Sequence, residues 1–419
     1  MHGKRKPLGD SHNFGRRVAF AGDRVVKPRT VAWEQLLLSA RSPLRRLLAE
    51  AAAPAGDGRP DFGFLPDLKF FRSRARHGGE VARVELRPLR ARSRQGRHAL
   101  ARTVGSSLAL WSWLGVADLH WENLVLGVAD DERVVFAPLD IEMILADLSL
   151  PTETKLLPDA DPEYAAISRH ACGARRVLPY LGKPIAVADL VAMAGAYHTM
   201  LAFLDRLAPR IADVLARLPQ LRETPIRVCL RGTDEYVHAR SVPPWPPLLD
   251  AEVEQLDRGD IPYFFRLYGR PGIHYWGDRA LTERRTLALR GDVPRLEPLL
   301  AVSRALRSPT RTTLREQGLF TLLAAFDDES LTGRHRTDEL DVTFGARSLV
   351  VRLPDGEQLR SRRDLSAFVG SVYLPCRCGE VRSVFVPPVT VCVAERRPAS
   401  GVQPQKRRGT PKARGRSLL

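Results

Sequence analysis

The stretch that decides the fold reads Val116-Ala117-Asp118-Leu119-His120-Trp121-Glu122-Asn123-Leu124-Val125-Leu126-Gly127. It resumes after a turn as Pro138-Leu139-Asp140-Ile141-Glu142-Met143-Ile144-Leu145. Ahead of it, Ala99 to Leu114 carries apolar residues at helical spacing and stops at Gly115, a residue type that closes helices. Leu124 to Leu126 and Val134 to Phe136 are apolar runs on either side of Asp130-Asp131, which predicts a hairpin. A helix therefore leads into a polar loop holding Asp118, His120 and Asn123, and the hairpin delivers Asp140 and Glu142. In extended chain, side chains alternate, so residues 140 and 142 share a side. The apolar walls of the hairpin put these acids at the end of a buried element, where sites concentrate. Turn formation and capping are the plain alternative for the loop residues taken alone.

Working outward, Arg17 to Val26 alternates around Gly22-Asp23 and predicts a hairpin ending at Lys27. Val31 to Ala53 has helical spacing broken near Pro43. Leu68 to Phe71 and Val81 to Leu86 predict a second hairpin across Gly78-Gly79. Beyond the deciding stretch, Ala186 to Leu218 is one long helix or two broken at Pro209. Arg227 to Thr233 reads as a strand and turn, and Arg295 to Leu306 and Thr312 to Phe326 as helices. After about Thr337 the pattern turns strand-like. The fold class is α+β, divided as follows: 1–95 with the hairpins and Lys27, 96–336 helical with the acids, 337–395 a small β-rich unit, and 396–419 a disordered basic tail.

The chain has 419 residues, of which 44% are hydrophobic and 27% charged, an ordinary globular balance. The net charge of +17 suggests polyanion binding, but eight Lys or Arg and no acid lie from Arg396 onward. The tail thus supplies nearly half the excess and the body is only mildly basic, so no specific nucleic-acid role is expected. No apolar run reaches membrane-spanning length and no secretory signal opens the sequence, which makes the cytoplasm the expected location. The five cysteines (172, 229, 376, 378 and 392) are too scattered for a disulfide framework. Cys376 and Cys378 are closer than structural zinc spacing allows.

Phosphoryl transfer requires groups that orient a hydroxyl and oxygen ligands that hold Mg²⁺ on phosphates. Protein kinases place an Asp and an Asn on a loop after a helix and a second Asp after the next hairpin. Asp118, Asn123 and Asp140 repeat that order. A cation on the phosphates is also needed. Lys27 is one of only eight lysines against 57 arginines and is flanked by Val26; a snorkelling surface Lys is the alternative. The segment Gly9-Asp10-Ser11-His12-Asn13-Phe14-Gly15-Arg16 reads as a glycine-rich loop near phosphates, or as ordinary capping. Alternation from Arg227 would bring Arg231 to the same face, where the pair could grip a phosphate or form a solvated basic face.

Taken in order, these segments resemble the dehydratase part of class II lanthipeptide synthetases. The matching text is Gly9 to Arg16, Val25-Val26-Lys27-Pro28-Arg29, Asp118 to Asn123, Leu139 to Glu142, Arg227 to Tyr236 and Gly259-Asp260-Ile261-Pro262-Tyr263-Phe264. It covers roughly Gly9 to Trp276. The resemblance implies a two-lobed, kinase-like core related to lipid kinases, with ATP and Mg²⁺ as cofactors. It also implies phosphorylation of Ser and Thr in a leader-bearing precursor peptide, followed by β-elimination to dehydroalanine or dehydrobutyrine in natural-product (lantibiotic) biosynthesis. It places Lys27 on ATP phosphates and Asp118, His120 and Asn123 in the phosphotransfer loop. Asp140 and Glu142 then serve metal and nucleotide, with Asn123 and Asp140 on Mg²⁺. Asp10, His12, Arg227 and Thr233 are assigned to elimination. Family members continue into a zinc-dependent cyclase and begin with a longer N-terminal segment. A separate cyclase or a missing N-terminal segment is accordingly expected. Competing readings are a kinase-like phosphotransferase without elimination and a catalytically inactive scaffold.

Overall fold

The computed structural model describes residues 6–52, 60–71, 73, 77–90, 93–145, 148, 150–158, 164–168, 176–182, 184–239, 241–242, 248–268, 270, 272–287, 310–326, 331–363, 385–386 and 389–390. The expected helix at 295–306, the tail at 396–419 and most of the β-rich segment beyond 363 lie outside them, as do four of the five cysteines. The fold is α+β.

The chain opens with an antiparallel sheet in the order β1-β2-β3-β5-β4, built from β1 (Lys6–His12), β2 (Arg16–Ala21), β3 (Arg24–Lys27), β4 (Phe70–Phe71) and β5 (Gly79–Ala82). The hairpin expected around Gly22-Asp23 is β2–β3. The glycine-rich segment expected as a loop is instead a strand to His12 and a tight turn, with the β1–β2 register irregular between Leu8 and His12. Val81 pairs with Phe70 as expected, but β5 begins at Gly79 rather than turning there. A Cβ on Gly79 would meet the Val31 side chain at 2.4 Å, so glycine lets this backbone run against Val31 while pairing with Lys27. Helices α1 (Ala32–Leu38) and α2 (Pro43–Ala52) follow β3 and divide at Pro43, which sits at a helix start where its missing N–H costs nothing.

Helix α3 (Arg94–Trp113) is the axis of the molecule. Ser93 caps it by accepting from Gly96 N at 3.2 Å. Gly115 ends it in the left-handed region (φ 63°), with Val116 N donating back to Trp111 O at 2.9 Å. Its C-terminal half is buried, Trp111 and Trp113 included. Ser107 Oγ donates to Phe136 O at 2.9 Å, fixing the hairpin of β6 (Leu124–Val128) and β7 (Val134–Pro138) on the helix. Helix α5 (Val187–Ala216) lies beside α3 after the short α4 (Leu178–Leu181). It runs unbroken through Pro209, because Leu204, Leu207, Ala208, Ile211 and Leu215 bury both sides of the proline. By length and composition α5 is apolar enough to cross a membrane, contrary to the sequence reading. However, 78% of its most apolar window is buried inside the protein, so it is a core helix here.

A second sheet has the order β11-β10-β9-β8, from β8 (Pro225–Val228), β9 (Phe264–Leu267), β10 (His274–Trp276) and β11 (Arg284–Thr286). Helices α6 (Thr233–His238) and α7 (Asp250–Asp257) lie between β8 and β9 in the chain. After α8 (Thr310–Ala324) comes a meander of β12 (Gly333–Arg336), β13 (Asp341–Phe344), β14 (Ser348–Arg352) and β15 (Gln358–Arg362). The inner strands match the apolar alternation. The edge strands β12 and β15 escaped notice because they are rich in Arg, as edge strands facing water can be. Leu340, Val342, Phe344, Leu349, Val351 and Leu353 join the same core as Trp33, Leu108 and Tyr197. The divisions drawn at 95 and 336 therefore both cross one continuous core.

A Cβ on Gly105 of α3 would lie 2.0 Å from the Met193 carbonyl oxygen of α5. Backbone cannot rotate away as a side chain can. Gly105→Ala should destabilise the fold by about 3 kcal/mol, at the upper end for overpacking, read as a lowered denaturation midpoint. An unchanged midpoint would mean that the two helices are not in this contact.

Candidate active site

The loop after α3 is pinned from several directions. Ala117 N donates to Met143 O (3.1 Å), Leu119 N to Thr154 O (2.8 Å) and Trp121 N to Tyr164 O (3.0 Å). Asp118 consequently sits at φ 63°, a left-handed conformation that a residue with a side chain holds only when its surroundings impose it. Asn123 Nδ2 donates to Asp118 O at 2.8 Å and lies 3.1 Å from His120 Nε2. Leu139 N donates to Asn123 O at 2.8 Å, which places Asp140 beside Asn123 at the foot of the hairpin.

Lys27, at the end of β3, is buried rather than snorkelling (6% exposed). Its Nζ donates to Leu139 O at 2.8 Å and pairs with Asp140 Oδ1 at 2.9 Å and Glu34 Oε1 at 3.1 Å. Arg29 pairs through Nη2 with Asp140 and Glu34 and through Nε with Glu142 Oε1 at 2.7 Å. Arg227, on β8, reaches the other oxygen, Glu142 Oε2, at 3.3 Å, and its backbone N–H donates to Glu142 O at 2.8 Å. Although residues 140–142 lie beyond the end of β7, both carboxylates converge on Arg29 while Ile141 is fully buried, the alternation expected of extended chain.

The electrostatics follow from this geometry. Burial disfavours the Asp140 carboxylate, but Arg29 and Lys27 outweigh it and hold the group well below the usual carboxylate range. Burial likewise opposes Glu142, yet it too is lowered, chiefly by Arg29 and with help from Arg227. Asp118 moves the other way: burial raises it, aided by Glu142 and Asp140, against the pull of Arg227 and His120. Burial, then Arg227, lower His12 below its ordinary 6.5. Burial lifts the Cys229 thiol to about 11.

The turn after β1 docks on Asp260, which is 1% exposed. Asp260 accepts from Ser11 Oγ at 2.7 Å, Phe14 N at 2.6 Å and Gly15 N at 2.9 Å, and Ile261 N donates to Ser11 O at 2.8 Å. His12 Nδ1 lies 2.8 Å from Ile261 O. A carbonyl only accepts, so Nδ1 carries the hydrogen and Nε2 keeps its lone pair in the neutral ring. The His12 ring also meets Tyr263, centroids 5.7 Å apart, and the Arg227 guanidinium lies 5.6 Å from the Tyr263 ring centre.

The structure thus brings Lys27, Asp118, His120, Asn123, Asp140, Glu142, His12 and Arg227 into one region. Asp10 is exposed on β1 and reaches the group through its field on His12. Thr233 starts α6, and among the described residues no hydrogen bond ties it to the cluster. Arg231 does not share a face with Arg227, because β8 ends at Val228 and the chain turns. Arg231 Nε instead pairs with buried Glu252 at 3.0 Å, whose Oε1 also accepts from Tyr236 at 2.7 Å. Sequence reasoning missed Arg29, Glu34, Asp260 and Tyr263. Glu34 had a signal: it is one acid on an otherwise apolar helix face beside Trp33, Leu36 and Leu37.

For a Mg²⁺ ion the available donors are Asn123 Oδ1 and Asp140 Oδ2. Neither makes a hydrogen bond among the described residues, so these two residues fit. Glu142 has both oxygens on arginines. No group of three or more His, Cys, Asp or Glu among the described residues could hold a metal alone. An ion here would complete its shell from phosphates and water, as Mg²⁺ commonly does. No protein-family model matches the chain, and no curated protein matches it.

Asp118 combines a left-handed backbone with a carboxylate that the fold makes harder to ionise. A folded-state value raised above the unfolded one means that ionised Asp118 opposes folding at neutral pH. Asparagine tolerates the backbone and lacks the charge. Because the Asp118 side chain is 44% exposed and its charge is partly screened, Asp118→Asn should leave the melting temperature within about 1 °C of the unaltered protein. A clear drop would show the carboxylate to be a stabilising group.

Proposed function

We propose that this chain is the dehydratase part of a class II lanthipeptide synthetase, with a two-lobed, kinase-like core. It would phosphorylate Ser and Thr of a precursor peptide from ATP and then eliminate the phosphate. The observation that carries this reading is Glu142. One of its oxygens binds Arg29 of the Lys27–Glu34–Asp140 group, and the other binds Arg227 beside His12. A phosphotransfer set and an elimination set thus share one carboxylate.

The first set has the parts of a kinase. Lys27 on a strand pairs with Glu34 on the next helix, as the strand lysine and helix glutamate do in protein kinases. Lys27 and Arg29 would neutralise phosphate oxygens. Asp118, whose carboxylate holds a proton more readily than usual, would accept the proton of the attacking hydroxyl, and His120 and Asn123 hold its loop. Bound at Asn123 and Asp140, Mg²⁺ would supply charge neutralisation on the phosphates.

The second set suits elimination, which favours this reading over a phosphotransferase that stops at the phosphoester. Hydroxide leaves poorly and phosphate leaves well. Arg227 would hold the phosphate with charge-assisted bonds. His12 Nε2 would take the Cα proton, the Cα–H electrons would form the Cα=Cβ bond, and the Cβ–O electrons would depart with the phosphate. Asp10 tunes His12 through its field. Thr233 starts the helix beyond β8 and would reach the phosphate only in the loaded site. The expected partner is a ribosomal precursor peptide with a leader, acted on in the cytoplasm.

The test is mass spectrometry of a Ser/Thr-containing precursor peptide encoded beside the gene, after incubation with ATP and Mg²⁺. Loss of water is expected and should vanish with Asp140→Ala. Arg227→Ala should instead accumulate phosphopeptide, with elimination slowed about 10²-fold or more. Stable phosphate gain with the unaltered protein would leave a kinase without elimination. No Mg²⁺-dependent nucleotide binding would leave a scaffold.

The acid limb of elimination should report His12. Protonated His12 cannot accept a proton, and its value is lowered, so the rate should be flat through neutrality and fall only below pH 6.5. Pre-formed phosphopeptide assayed across pH measures this; an acid limb centred above 6.5 would assign the base to another group.

A further inference from the structure

Tyr263 lies where the two sets meet. It is 3% exposed, and its ring touches His12 on one side and faces the Arg227 guanidinium on another. Its hydroxyl feels Glu142, Arg29, Arg227 and Asp140. Buried phenols normally find a hydrogen-bond partner. Among the described residues this one has none. Glu142 is not its acceptor: no hydrogen bond joins the two among the described residues, and the Glu142 oxygens are held by Arg29 and Arg227. The Nε hydrogen of Arg227, whose guanidinium faces the Tyr263 ring, is buried and without a partner.

The three side chains that meet at the Tyr263 ring therefore keep two open donors, Tyr263 Oη and Arg227 Nε, and one open acceptor, His12 Nε2. An apolar filler would leave all three unsatisfied. A phosphate monoester adjoining an acidic C–H satisfies all three at once: two of its oxygens accept, and the carbon gives up a proton.

We infer that Tyr263 is a further catalytic residue, whose hydroxyl donates a hydrogen bond to the departing phosphate alongside Arg227. This rests on the dehydratase reading. In the elimination the proton moves from Cα to His12 Nε2 and the Cα–H pair becomes the second bond of Cα=Cβ. The Cβ–O pair leaves with the phosphate, whose new negative charge the Tyr263 and Arg227 donors receive. Tyr263 keeps its own proton, in line with burial and Glu142 both disfavouring phenolate. In the phosphorylation step no charge develops here, so the hydroxyl should matter little.

Tyr263→Phe removes the hydroxyl and keeps the ring contacts with His12 and Arg227, so the fold should survive. Two measurements test the inference. The first is calorimetric binding of inorganic phosphate to the whole protein. Tyr263→Phe should weaken it about 10-fold, the loss of one hydrogen bond to a charged group. The second is conversion of the precursor peptide with ATP and Mg²⁺. Tyr263→Phe should phosphorylate within about 2-fold of the unaltered protein and eliminate about 10²-fold more slowly, as when one oxyanion donor is removed, so that phosphopeptide accumulates. Tyr263→Leu, which also removes the ring contacts, should be no better.

If Tyr263→Phe matches the unaltered protein in both measurements, the hydroxyl has no catalytic part and Tyr263 is packing. If it slows phosphorylation and elimination equally, the inference also falls. If phosphate binding weakens as expected but the unaltered protein never dehydrates the peptide, the anion contact stands and the dehydratase reading falls.

Discussion

Three buried or half-buried carboxylates, Glu34, Asp140 and Glu142, face three cations, Lys27, Arg29 and Arg227. Removing one partner from such a set would leave an uncompensated charge out of water, a cost of about 3–5 kcal/mol. The balance fixes the relative placement of four pieces of chain: the end of β3, the start of α1, the foot of the β6–β7 hairpin and the far end of β8. None of these pieces is long. What holds them is that each carries a charge the others must match. Stability and site geometry are here the same interaction.

How much of this was legible beforehand depended on the range of the forces involved. The α3 helix, its stop at Gly115 and the β6–β7 hairpin were readable because local patterning sets them: apolar spacing, a glycine and a two-aspartate turn. The loop acids were readable for the same reason. Arg29 was not, since the carboxylates at positions 140 and 142 give it its meaning and nothing near it announces them, and Glu34 showed only as a lone acid on an apolar helix face. Asp260 and Tyr263 lay in a segment noticed for its text and given no role. Their partners are at Ser11 to Gly15 and Arg227, brought close only by folding. Arg231 misled for the opposite reason: alternation was carried past Val228, where the strand had already ended.

The expected units were similarly a reading of local texture. The composition changes after residue 336, and the meander there is real. Its apolar face nevertheless packs on the helices: Glu339 pairs with Arg102 of α3, and its side chain lies where a Cβ on Gly195 of α5 would stand. Texture reports which secondary structure forms, whereas the boundary of a core is decided by what those elements cover. Pro209 teaches the same lesson, since buried side chains on both of its flanks override a local helix breaker.

The docking of the β1 turn on Asp260 joins residues 249 positions apart. Closing so long a loop is entropically slow to happen by chance. His12 is made first and acquires its neighbours last. During synthesis the growing chain carries Lys27, Asp118 and Asp140 well before the segment that orients His12 has emerged. A nascent chain stalled short of residue 260 would therefore lack both the anchor that orients His12 and the strands at 340–353 that complete the shared core.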